Sequence, residues 1–264
     1  MTQPYEVYAV RYATRKTDAA SVYLNHHMYG DAENPSLVMD YFFWVIRSAA
    51  RTVVVDTGFT PEVGVPRGRE MTLAVPDGLA RLGVDPASVE TVVITHGHYD
   101  HTGNVSLFPN ATFVISSREL DFWSGPAARR PLFAHAVEPD DIGLIRAYEE
   151  AGRVRRMSGV LDVAPGVTVI EVGGHTPGQL IVLVDAEGGE VLLASDAVHY
   201  YDEVLLDRPF LMVHDLERMY QAFDIVSGLA QRPGIAYVAG HDPLVFDRFT
   251  AMSADEPGRG VRVR

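Results

Sequence analysis

The sequence has 264 residues, 47% of them apolar and 22% charged, a globular composition that excludes a disordered or fibrous chain. Twenty-two Lys and Arg against 35 Asp and Glu leave a formal charge of −13; such a surface repels a phosphate backbone, so nucleic acid is not expected as a partner. With no cysteine, there is no disulfide, thiolate nucleophile or thiolate metal ligand, and any metal must be held by His, Asp or Glu.

The chain enters a strand-like alternation at Tyr5–Arg11 with no basic segment followed by an apolar one, so no export signal is read and a cytoplasmic protein is expected. Ala13–Val38 has few periodic apolar positions and is expected to be a long loop, within which His26 and His27 are solvated. The strand Asp40–Arg47 contains the longest nearly unbroken apolar run, Tyr41–Ile46, far short of the ~20 residues that span a bilayer. No membrane helix is expected. Exposed, that run would support a homodimer; a buried strand explains it equally well. Thr52–Asp56 reads as a strand, Thr60–Pro76 as a second long loop, and Thr91–Thr95 and Thr112–Ile115 as strands.

Glu138–Ala151 is expected to be a surface helix rather than a lid, with Pro139 at its first position and Ile142, Ile145 and Tyr148 on one side. Thr168–Val172, Leu180–Asp185, Glu190–Ala194 and Ile235–Ala239 read as strands. Asp215–Gln231 is the clearest helix: Leu216, Met219, Tyr220, Phe223, Val226 and Ala230 keep the i, i+3, i+4, i+7 spacing behind Asp215 as N-cap. Glu256–Arg264 is expected to be a solvated tail. Without a repeat or linker, residues 1–264 read as one α/β (α+β) domain, two packed sheets with helices outside.

The strand Thr91–Thr95 runs directly into His96-Gly97-His98-Tyr99-Asp100-His101, a pattern that chance places in a chain of this composition about 1 time in 1000. Imidazole and carboxylate without thiolate suit zinc and tolerate manganese, iron or cobalt. His96 and His98, two residues apart, can converge on one centre, while Asp100 and His101, beyond a tight turn, can face a neighbouring one. That geometry implies two metals and requires further ligands. His175, Asp196 and His241, each at the end of a strand, are the candidates. A lone His at a strand end is ordinarily a core or surface residue; three such ends accompanying the cluster reverse that reading. Asp100 can carry the proton from attacking water to a leaving alkoxide. Tyr99 and Phe59 are expected to point into the cleft as substrate contacts, His135 and His214 to be surface residues near helix starts, and Trp44 and Trp123 to be core.

On these residues the sequence resembles the metallo-β-lactamase superfamily. The resemblance implies a four-layered αβ/βα sandwich with the metals at one edge, His96, His98 and His175 on one ion, Asp100, His101 and His241 on the other, and Asp196 bridging. In it the turn Val55-Asp56-Thr57-Gly58 is structural. Within the dinuclear branch, Val55–Phe59, Gly174–Gln179, Ala194–Ala197 and Gly240–Pro243 most resemble the N-acyl homoserine lactonase family. That implies two divalent ions, zinc first among them, and a hydrolase that opens a lactone ring by attack of a metal-bridging hydroxide. Another thioester or ester as substrate is the alternative, with a mononuclear iron dioxygenase-like member behind it. Glyoxalase II-like thioesterases add a helical domain for which no room remains. One position departs from the family: three residues beyond Asp196, where the lactonases place a tyrosine that hydrogen-bonds the substrate carbonyl, stands His199, followed by Tyr200. His199 is expected to donate that hydrogen bond or to orient Asp196, and Tyr200 is the other candidate for substrate contact.

Overall fold

In the computed structural model, which describes residues 4–31, 33–252 and 259–264, strands β1 (Glu6–Asp18), β2 (Ser36–Arg47), β3 (Thr52–Val55), β4 (Glu70–Met71), β5 (Thr91–Val93), β6 (Thr112–Ser116) and β7 (Val154–Met157) come first. They are followed by β8 (Val160–Ala164), β9 (Val167–Glu171), β10 (Leu180–Ala186), β11 (Gly189–Leu193) and β12 (Ala236–Val238), and then by β13 (Thr250–Ala251) and β14 (Gly260–Arg262). Among the described residues they form a nine-stranded sheet ordered β13-β14-β1-β2-β3-β5-β6-β7, with β4 beside β1, and a five-stranded sheet ordered β12-β11-β10-β9-β8. β3, β5, β6 and β7 run parallel, as do β11 and β12.

The two sheets face each other across a core in which Phe42, Trp44 and Ile46 of β2 meet Val169, Val182 and Leu193 of the second sheet. The alternate residues of β2, Tyr41, Phe43 and Val45, point the other way and are covered by Leu79, Leu120, Ile142 and Ile145 from helices. On the far side of the second sheet, Ile181 and Leu192 pack under Met219, Phe223 and Val226 of the helix Leu216–Ala230. The result is the expected helix–sheet–sheet–helix order. Coverage of both faces is why the run Tyr41–Ile46 is apolar throughout: each of its residues is 1% exposed or less. It therefore offers no surface for a dimer.

The two well-marked helices form as the periodicity predicts. Asp215 caps the second with its carboxylate accepting the Arg218 N–H at 3.1 Å. The first, Pro139–Glu150, buries Ile142 and Ile145 and stacks Tyr148 on Phe113 at 5.2 Å, so it covers the sheet. Both presumed long loops are largely structured. β1 continues to Asp18 and pairs residue for residue with β2 beyond a shift in register between Arg11 and Ala13; its outer half carries polar residues because it is half-exposed. His26 is buried, not solvated, while His27 is exposed. Thr60–Pro76 contains the short helix Pro61–Gly64, β4 and the start of the helix Val75–Arg81, elements too short to show a period. The expected tail is corrected as well: residues 256–258 lie outside the described ones, but β14 pairs with β1 and buries Val261 and Val263. Among the described residues, no helix is long and apolar enough to cross a membrane.

Candidate metal centre

The site lies where β3, β5 and the strands of the second sheet end. Asp56, directly after β3, has φ 61°, a left-handed conformation uncommon for a residue with a side chain, and its carboxylate holds the turn. Oδ1 accepts the Thr95 N–H at 2.7 Å, and Oδ2 accepts the Thr95 hydroxyl and His101 Nδ1, each at 2.7 Å. Ser195, with φ 46°, introduces Asp196, and its hydroxyl meets that of Thr95 at 2.8 Å. Glu119, fully buried on the helix Ser117–Ser124, accepts the N–H groups of Gly97 and Gly178 at 2.8 Å each and that of the Trp123 indole. It thereby ties the His96–His98 loop to the His175 loop. A Cβ on Gly97 would stand 2.3 Å from the Trp123 ring, so only glycine lets the loop approach this closely.

Seven predicted residues converge. His96 Nε2 lies 3.0 Å from His98 Nδ1, which lies 3.0 Å from His175 Nε2. Asp196 Oδ2 is 3.7 Å from His96 Nε2 and 3.5 Å from His175 Nε2. On the other side, His101 Nε2 is 3.8 Å from Asp100 Oδ1, and His241 Nε2 is 3.9 Å from Asp100 Oδ2; Asp196 Oδ1 is 3.4 Å from the first nitrogen and 3.2 Å from the second. Ligands around one tetrahedral ion with bonds of about 2.1 Å stand about 3.4 Å apart. Both sets fit a divalent ion, and Asp196 faces both; its Oδ2 is also 3.2 Å from His241 Nε2. The rings are also fixed from behind, as metal-binding imidazoles are: besides His101 on Asp56, the Nδ1 atoms of His175 and His241 meet the carbonyl oxygens of Met212 at 2.8 Å and Asp40 at 2.7 Å.

Burial holds His96 and His175 well below the ordinary histidine range and lowers His98 to about 4, leaving neutral rings with lone pairs to offer. For His101 burial acts the same way but is outweighed by the carboxylates of Asp196, Asp56 and Asp100, which raise it. Burial would also raise Asp196, yet the surrounding imidazoles keep it well below the usual carboxylate range. Negative charge is thus concentrated between the rings. His101 Nε2, buried there, has no hydrogen-bond partner, as expected of an atom whose partner is an ion.

The family model of the metallo-beta-lactamase superfamily matches residues 40–249. The chain belongs to that superfamily. It is 32% identical over 180 residues to an N-acyl homoserine lactonase AttM of Azorhizobium caulinodans, a match that spans 64% of this chain and just under two thirds, 64%, of the relative. To the N-acyl homoserine lactonase AttM of Agrobacterium fabrum it is 28% identical over 271 residues, covering 92% of this chain and 95% of the other. The fold is that of the crystal structure of a quorum-quenching N-acyl homoserine lactone lactonase, with a TM-score of 0.73 at 20% identity over 92% of this chain and 94% of that one. It is equally close to the hydrolase AbOPH, with a TM-score of 0.73 at 21% identity over 99% and 94%.

In this member of the metallo-β-lactamase superfamily, a cavity of about 570 Å³ opens over the two ligand sets, with Tyr41, Tyr99, Arg67, Arg69, Phe210 and Met212 among its lining. A second, of about 530 Å³, shares His98 and His175 and is walled by Phe122, Trp123, Phe133 and His214. Tyr99 lines the first cavity as predicted, its hydroxyl accepting Arg69 Nε–H at 2.9 Å. Phe59 does not: it is 1% exposed and packed behind Tyr41 and Tyr99. Tyr200 does not either, since its hydroxyl donates to the Val38 carbonyl at 3.0 Å. Both Trp44 and Trp123 are core, as expected, and Trp123 also stands edge-on to His98 at 5.3 Å and lines the second cavity. His135 and His214 are exposed and stand near helix starts, as expected, and His135 also caps a short helix and borders both cavities. His199 is at the site, Nε2 3.2 Å from Asp196 Oδ2 and Nδ1 3.3 Å from Glu203 Oε1; burial works against its charge, but these two carboxylates raise it to about 9. Sequence reasoning missed Glu119, Glu203 and Tyr41. Tyr41 sits within an apolar strand run with nothing to mark it; its buried hydroxyl has no hydrogen-bond partner and faces the cavity.

Proposed function

We propose that the chain is a metal-dependent hydrolase that opens the ring of an N-acyl homoserine lactone or a related lactone, with zinc first among the ions it takes. The observation that carries this is the approach of Asp196 to both complete ligand sets, beside an apolar groove. Bound there, two divalent ions would acidify water from a pKa of about 15.7 to about 7, giving a hydroxide between them as nucleophile, and would polarise the carbonyl. His96, His98 and His175 hold one ion, Asp100, His101 and His241 the other, and Asp196 fixes their spacing. Asp100, at the cavity floor, takes the proton of the attacking water and returns it to the ring alkoxide, which is a poor leaving group without it.

Tyr41 donates a hydrogen bond to the substrate oxygen that gains charge. Burial pushes its phenol up to about 12, so it stays a donor at neutral pH. The groove of Phe122, Trp123 and Phe133 takes the apolar arm of the substrate, shielding it from water, while Tyr99 and its Arg69 partner line the polar end. The test is a hydrolysis screen of metal-loaded and chelator-stripped protein against acyl homoserine lactones of several chain lengths, aryl lactones and thioesters. Metal-dependent turnover of lactones, rising with the size of the apolar arm, supports the reading; turnover of thioesters alone would overturn it.

A further inference from the structure

We propose that His199 is itself a metal ligand, its Nε2 joining His175 and Asp196 at the centre. The inference rests on the dinuclear reading above. Its basis is a pattern shared by three of the four rings that present Nε2 to the site. His101, His175 and His241 each have Nδ1 on a carboxylate or carbonyl oxygen, which leaves the lone pair of a neutral ring on Nε2. His199 repeats it. Its Nδ1 meets Glu203 Oε1 at 3.3 Å, and that oxygen already accepts the N–H groups of His199 and Tyr200 at 3.1 and 3.0 Å, as a fixed carboxylate would.

The other side of the ring agrees. Phe210 stacks on it at 3.7 Å and 16°, so the ring plane is set without an ion. Nε2 stands 3.2 Å from Asp196 Oδ2, nearer than His175 Nε2 at 3.5 Å. Like His101 Nε2, it is buried with no hydrogen-bond partner, and a buried polar atom left so is costly. The nitrogens and oxygen of His175, Asp196 and His199 lie within 4.8 Å of one another, a grouping fit for an ion.

Cobalt-loaded protein tests this by paramagnetic proton NMR, in which exchangeable ring N–H protons of coordinated histidines are strongly shifted. The expected spectrum has one more such signal than His96, His98, His101, His175 and His241 supply. His199→Ala should remove it and weaken cobalt binding at one site by about 10–100-fold while the other holds; Glu203→Gln, which keeps the ring, should move the same signal. Two bound cobalt ions with no sixth signal, and with both variants matching the parent, would overturn the role of His199 alone. Binding of a single cobalt ion would overturn the dinuclear reading with it.

Discussion

The carboxylate of Asp56 accepts two hydrogen bonds from Thr95 and one from His101, so one side chain sets both the path of the chain into His96 and the plane of the His101 ring. Asp56→Asn would offer an N–H where His101 needs an acceptor. Metal affinity at the Asp100–His101–His241 set should fall about 10–100-fold, read by competition with a chromogenic chelator, while the His96–His98–His175 set changes little. Tyr41 carries a different burden, since it holds no ligand and its hydroxyl is committed to no protein atom. Tyr41→Phe should leave metal content unchanged and lower kcat by roughly 10²-fold, as loss of a donor aimed at developing charge does; steady-state kinetics beside elemental analysis separates the two.

At the scale of elements, the helix Pro139–Glu150 places Asp141 in its first turn, where a negative charge is ordinarily welcome. Burial, aided by Glu138, nevertheless raises its carboxyl to about 6, so the folded chain binds this proton more tightly than the unfolded one. Stability is therefore lost as pH rises from about 4 to about 6 and stays lost above that. Asp141→Asn should raise stability at pH 7.5 by roughly 1 kcal/mol after allowance for partial solvent screening, and the gain should vanish toward pH 4; paired thermal melts at the two pH values decide it. This partial burial was not visible in the sequence, although the helix itself was. Elements with a long period or a concentrated motif were legible: the helix behind Asp215, and the strand that runs into His96. β7 and β8 were missed because Arg155 and Arg156 interrupt the first and Asp162 the second, and an edge position lets such residues reach water. The seven residues that converge at the centre were legible because metal chemistry demands particular side chains. Tyr41 and Glu119 were not, because hydrogen bonds to backbone and substrate depend on a fold that brings distant segments together.

Across the whole molecule, the centre joins loops from both sheets: His96, His98, Asp100 and His101 follow β5 of one, while His175, Asp196 and His241 follow β9, β11 and β12 of the other. Ions that bind the folded chain alone stabilise it by an amount that grows with their concentration, about 2.7 kcal/mol at one hundred times Kd. The melting temperature should accordingly climb with free zinc and drop in chelator, and the variant Asp196→Ala, which lacks the carboxylate between the two sets, should lose most of that dependence. A melting curve indifferent to chelator would mean that the centre does not join the sheets energetically. The last described residues carry a consequence of another kind. β14 covers the outer side of β1, so a protein shortened before Arg259 would present the backbone donors and acceptors of a long central strand to its neighbours. Such a bare edge recruits strands from other copies, and the shortened chain would fail by clumping in the test tube even with every residue of the reacting centre intact.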